Sequence, residues 1–134
     1  MRRRFAQHQR RGAALVEFAV TLPLLVLILF ATIEACSMVY LQQSLKIAAY
    51  EGVRVALVPG SQTSNVQRAV NQTLSERRIN GASVSITPTD YAEASPGQYV
   101  RVTATAPAQG NSLVGAWFFG GRMLSGSVEM MKEL

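Results

Sequence analysis

The chain contains one histidine, His8, and one cysteine, Cys36, in 134 residues. Ser–His and Cys–His nucleophilic pairs need an imidazole beside the nucleophile, and the common zinc sets need several thiols and imidazoles. Beyond residue 36 the chain has neither residue type. Walker and dinucleotide-binding glycine patterns are also missing. Asp90 and Glu93 are the nearest approach to an acid pair, but they stand in a polar loop where carboxylates are ordinarily solvated. No enzyme activity is expected, and neither a cofactor nor a metal. One cysteine forms no intrachain disulfide. Cys36 therefore reads as a small buried apolar side chain, with an intermolecular bridge as the alternative.

Acidic residues are missing from the leader. Arg2, Arg3, Arg4, Arg10 and Arg11 all precede Gly12, and no carboxylate accompanies them. Of the thirteen basic residues, these five leave eight to face the eight acids, so the formal charge of +5 belongs to the leader alone. A basic tail could bind nucleic acid, but next to an apolar segment it more often fixes topology, because Lys and Arg flanking a spanning helix stay on the cytoplasmic side. The five arginines are read as topology determinants. The N-terminus is then inside, the remainder outside, and no nucleic acid is involved.

From Ala13 to Ile33 the sequence is AALVEFAVTLPLLVLILFATI. As a helix this run would cover roughly 31 Å, close to the hydrocarbon thickness of a bilayer. It is too long for the apolar region of a secretory signal, and no small-x-small site closes it. Pro23 removes one backbone donor, which a membrane helix tolerates with a kink or local loosening. Ile33-Glu34-Ala35-Cys36 has a faint likeness to a lipoprotein processing site, but the acid and the long preceding run argue against lipidation.

The helix is expected to continue beyond the bilayer. Met38, Leu41, Leu45, Ala48, Ala49, Gly52 and Ala56 recur at three- and four-residue spacing, while Gln42, Lys46, Tyr50 and Arg54 occupy another face. Glu51 and Arg54 have the spacing of an i,i+3 pair. Pro59-Gly60 is the first firm stop. A second, short amphipathic helix follows through Val66, Ala69, Val70, Thr73 and Leu74, with Ser64 as its cap and an end near Arg77-Arg78. Ser83–Thr87 and Gln98–Ala106 alternate as antiparallel strands, and Gly126–Lys132 is a weaker third. The fold class is α+β: one long N-terminal helix, one short helix and a small antiparallel sheet of about three strands. Residues 1–12 form a cytoplasmic leader, 13–37 a transmembrane helix and 38–134 an exoplasmic domain.

Leu113-Val114-Gly115-Ala116-Trp117-Phe118-Phe119 is too short to span a bilayer. The expectation is that it packs its aromatics onto the sheet. The alternative makes Trp117, Phe118 and Phe119 a membrane-surface or partner interface.

Chemistry is expected at Gly12-Ala13, with the chain as substrate. A basic leader, a glycine, a small residue and an apolar helix place a scissile bond at the cytoplasmic face. Cleavage would free the amine of Ala13 with Glu17 one helical turn away. A carboxylate inside the bilayer costs roughly 2.5–3.5 kcal/mol at the helix centre, which makes Glu17 a functional candidate. Pairing with the ammonium of an adjacent subunit would give the acid a role in assembly.

Gly12, with Glu17 and the aromatic Phe18 behind a basic leader, resembles the processing site of type IV prepilins, nearest to the Flp/Tad subclass. The run RRGAALVEFAVTLPLLVLILFATIEA, Leu41-Gln42-Gln43 and Ala49-Tyr50-Glu51-Gly52-Val53-Arg54 resemble the TadE-like pseudopilins. The resemblance covers about Arg10 to Gly60. It implies a pilin-like architecture and cleavage between Gly12 and Ala13 by a membrane aspartyl prepilin peptidase. It also implies a minor subunit of a tight-adherence pilus machine in the bacterial inner membrane, working with other Tad/Flp pilins and pseudopilins, the assembly platform and the lipid bilayer. Phe18 stands where Flp pilins usually carry tyrosine, so a role for that hydroxyl is not implied. The outer domain departs from major Flp pilins, which are little more than the helix. The competing reading is an uncleaved, signal-anchored single-pass protein whose outer domain binds an envelope partner or ligand, with Glu17 snorkelling to the interface.

Overall fold

A computed structural model describes the chain path from Arg2 to Glu133 and the side chains from Gly12 to Glu133. The side chains of Arg2, Arg3, Arg4, Arg10 and Arg11 thus lie outside the described residues, as does that of His8. The chain comprises a first helix α1 (Arg2–Ala56), a second helix α2 (Thr63–Glu76), strand β1 (Ser83–Thr87), a 3-10 turn (Tyr91–Glu93), strand β2 (Tyr99–Pro107) and strand β3 (Met123–Met131). It divides into two compact units, Met1–Ile33 and Glu34–Leu134.

In the first unit α1 passes through Pro23 without an assigned break. Its Leu, Val, Ile and Phe side chains from Leu15 to Phe30 are exposed all round. The helix is long and apolar enough to cross a membrane, and none of its most apolar window is buried. An apolar surface of this extent requires lipid or other helices around it. The threonines within it are satisfied locally: Thr21 Oγ1 donates to the Glu17 carbonyl at 3.0 Å and Thr32 Oγ1 to the Ile28 carbonyl at 2.8 Å. Returning the hydroxyl to the helix's own backbone is how such residues avoid an unpaired donor in hydrocarbon.

In the second unit the periodic face of α1 becomes the core. Met38, Leu41, Leu45, Ala48, Ala49, Gly52 and Ala56 are all buried, together with Val53. Gln42, Lys46, Tyr50 and Arg54 are exposed, and Arg54 pairs with Glu51 at 3.3 Å. α2 packs Val66, Val70 and Leu74 into the same core. Arg77, just past α2, fixes the two helices with its carbonyl, which accepts from Tyr40 Oη at 3.3 Å, and its guanidinium, which reaches Ser44 Oγ at 3.5 Å.

Two details of α2 differ from the sequence expectation. Its N-cap is Gln62, which makes no side-chain cap bond, and Ser64 lies inside the helix. One turn earlier, the Ser61 backbone N–H bonds to the Val58 carbonyl at 3.0 Å, so a backbone turn rather than a serine hydroxyl launches the helix. The other end closes with Ile79 N–H on the Leu74 carbonyl at 2.9 Å and Arg78 N–H on the Ser75 carbonyl at 3.0 Å. This is the Schellman pattern, with Arg78 in the left-handed position that glycine usually holds.

The sheet has the order β1-β2-β3, antiparallel throughout. β2 turns Val100, Val102, Ala104 and Ala106 to the core. Its outer face carries Arg101, whose guanidinium meets Glu129 of β3 at 2.6 Å, directly across the ladder. β3 starts three residues before the expected Gly126, since Leu124, Gly126, Val128 and Met130 alternate toward the core and the glycine conceals that alternation.

Gly126 lies under α1. A Cβ there would come within 2.4 Å of Lys46 N and 2.6 Å of Leu45 C, both backbone atoms. At Gly52 the added carbon would meet side chains only, Val70 Cγ2 at 2.5 Å and Val102 Cγ1 at 3.0 Å. Backbone does not step aside as a side chain does, so Gly126→Ala should destabilise the second unit by roughly 3 kcal/mol, the upper end of overpacking costs. Gly52→Ala should cost less, about 1 kcal/mol net, because alanine favours the helix by about the same amount. Urea unfolding of the full chain in detergent, followed by far-UV circular dichroism, compares the two; equal stability losses would contradict the difference drawn here.

Candidate functional site

Two places carry the residues singled out by the sequence, and each belongs to one unit. The first is Gly12 to Phe18 on α1. Gly12, Ala13, Glu17 and Phe18 are all exposed, with Ala13 and Glu17 separated by one helical turn. A Cβ built on Gly12 meets nothing within 4 Å. Neither packing nor a close approach within the described residues requires glycine at this position, in contrast to Gly126. Helix propensity disfavours it by about 1 kcal/mol relative to alanine.

The second place is the connection between β2 and β3. Ala108 N–H donates to the Arg122 carbonyl at 2.8 Å and closes the base of the excursion. Asn111 anchors one side, accepting from Asn80 N–H at 2.8 Å and donating through Nδ2 to the Asn80 and Pro107 carbonyls at 2.9 and 2.8 Å. Gly115 and Ala116 both have left-handed backbone, with φ of 91° and 57°.

Backbone donors just beyond these two residues meet Glu34 of α1, which is 1% exposed. Phe118 N–H lies 3.0 and 3.1 Å from the two carboxylate oxygens, and Phe119 N–H donates to Oε1 at 2.9 Å. A carboxylate taking backbone donors is a charge-assisted contact, stronger than its neutral equivalent. The backbone is held while the side chains point away. Leu113 is 85% exposed, Trp117 75% and Phe118 49%, with Phe119 half-buried and its ring 5.5 Å from the Arg122 guanidinium carbon.

The expectation that these aromatics pack onto the sheet is therefore corrected for Trp117 and Phe118. The core side of the sheet is already filled by α1 and α2, leaving the loop to be held by its backbone. Cys36 is corrected too: it is free and exposed. On α1 the buried positions are 34, 37, 38 and 41, and residue 36 projects to the opposite side. Glu34 itself was missed as a functional residue. Extending the apolar spacing backward from Leu41 and Met38 lands on position 34, so an acid on the buried face was the available signal.

Removing the carboxylate leaves two backbone donors without their acceptor. Glu34→Ala should lower the stability of the second unit by about 2 kcal/mol, while Glu34→Gln, which keeps one acceptor oxygen, should lose less. Hydrogen exchange at the Phe118 and Phe119 amides locates the effect. Unchanged protection there in the alanine variant would show that the carboxylate does not hold the loop.

No curated protein and no solved structure matches the chain. Residues 12–54 match the family model described as TadE-like protein. The matched stretch begins at Gly12, takes in Glu17, Glu34 and the first part of the core face, and ends at Arg54, before α2 and the sheet. Over that helix the chain is similar to TadE-like proteins, a likeness that associates it with the Tad pilus and with the membrane.

Proposed function

We propose that this chain is a minor, pilin-like subunit of a Tad/Flp pilus assembly machine, a pseudopilin needed for pilus biogenesis, adherence and surface colonisation. The observation that carries the reading is the TadE-like match over a helix whose first half exposes apolar side chains all round. Such a helix is stable in a bilayer and equally able to pack against other apolar helices. That property lets a subunit pass from membrane to filament.

In this scheme the basic leader stays in the cytoplasm by the positive-inside rule, α1 crosses the inner membrane, and the α+β unit lies outside. A prepilin peptidase cuts between Gly12 and Ala13. A Cβ at Gly12 would meet nothing among the described residues, which supports a position open to a protease. Cleavage leaves Glu17 close to a new helix start, where the macrodipole favours a carboxylate. The same carboxylate can take the Ala13 ammonium of the next subunit. Its partners are thus the peptidase, neighbouring Tad/Flp pilins and pseudopilins, the assembly platform and the bilayer.

The intact mass of the protein from cells carrying the matching peptidase should correspond to a chain starting at Ala13. A mass retaining residues 1–12 would instead support an uncleaved signal-anchored protein. Gly12→Leu should leave the precursor uncut in the membrane; trimming at the normal rate would count against recognition of the glycine. Glu17→Leu should insert at least as well, since a charge is removed from hydrocarbon. It should nevertheless abolish or strongly reduce surface pili by electron microscopy. Pili at the normal level would remove the pairing role of the acid.

A further inference from the structure

The loop from residue 109 to 121 combines apolar tips with a backbone that is held at several points along its length. Leu113, Trp117 and Phe118 project outward, whereas the amides of Phe118 and Phe119 are bonded to Glu34, Val114 N–H to Ser112 Oγ at 3.3 Å, Asn111 N–H to the Ala108 carbonyl at 3.1 Å and Arg122 N–H to the Phe119 carbonyl at 3.3 Å. Each partnered amide lowers the cost of bringing the loop toward a water-poor phase, and the headgroup region retains water for the remaining donors. The sequence around it fits the same phase. From Pro107 to Val128 there is no acidic residue, and the single charge is Arg122. Glu34, which holds the loop, is the residue next to Ile33, where the apolar run of α1 ends. Tryptophan, phenylalanine and leucine with an arginine beside them have the composition of an interfacial anchor.

We propose that Leu113, Trp117 and Phe118 insert into the headgroup region of the leaflet where α1 leaves the bilayer, with Arg122 facing lipid phosphate and Glu34 fixing the loop at that depth. The occupant of this apolar patch is a lipid surface. A second subunit is disfavoured because the loop offers one cation and no acid, which complements phosphate rather than a patch like itself. The inference rests on α1 spanning the membrane and does not require processing or pilus assembly.

Trp117 is the only tryptophan and serves as the probe. The full chain is reconstituted in phosphatidylcholine–phosphatidylglycerol vesicles at high lipid-to-protein ratio, and insertion is verified by resistance to carbonate extraction. Trp117 emission should be blue-shifted, quenched by lipid spin-labelled near the top of the acyl chain, less so by a label at the chain end, and little affected by iodide. Glu34→Ala should lose the shallow-label quenching and gain iodide quenching. The double variant Leu113→Ser, Phe118→Ser leaves the backbone contacts to Glu34 in place and should also lose lipid quenching. Inserted protein whose Trp117 is quenched by iodide alone would overturn the proposal. So would a blue-shifted emission reached by neither quencher, which would assign the patch to contact between copies. A failure to resist carbonate extraction would instead remove the membrane helix itself, on which both this inference and the pilus reading depend.

Discussion

The second unit depends on how closely β3 can approach α1. At Gly126 there is no room for even one carbon between the strand and the backbone of Leu45 and Lys46. The surrounding interface is made of small residues: Ala48, Ala49 and Gly52 on the helix, Ala104 and Ala106 on β2. Small side chains bring backbones together and allow the larger Val, Leu and Tyr groups around them to interdigitate at the density of a protein interior. The core is thus a helix held in a shallow sheet, with α2 completing it through Val66, Val70 and Leu74.

That packing gives one continuous helix two solvents. From Leu15 to Phe30 its large apolar side chains are exposed all round; from Glu34 onward one face is buried and the other carries Gln42, Lys46 and Arg54. The hydrophobic effect acts on both segments, but it is satisfied within the chain only in the second. The first segment must find its apolar surroundings in a bilayer or among other helices.

Glu34 lies at the change between the two regimes. A buried carboxylate without partners would be strongly destabilising, yet here it accepts from two backbone amides and organises a loop distant in sequence. The same contact orders the loop and leaves Trp117 and Phe118 outside. Glu17, by contrast, is an exposed acid on the apolar segment. Two glutamates on one helix therefore have opposite surroundings: Glu34 is buried against backbone amides, and Glu17 is exposed.

The sequence by itself determined the elements and their faces. The apolar run, the three- and four-residue spacing from Met38 to Ala56, and the alternation in β1 and β2 are local periodicities that dictate which face must leave water. It also carried the Gly12–Glu17 pattern and the TadE-like likeness. Only the tertiary structure decided the fate of Cys36, Glu34 and the aromatic run. Composition suggested burial for Cys36 and for Trp117-Phe118-Phe119, but burial depends on what is already packed against a position. The sheet's inner face was filled by α1 and α2, and residue 36 pointed away from it. The pairing of Glu34 with amides more than eighty residues later is a contact of chain topology, which no local pattern encodes.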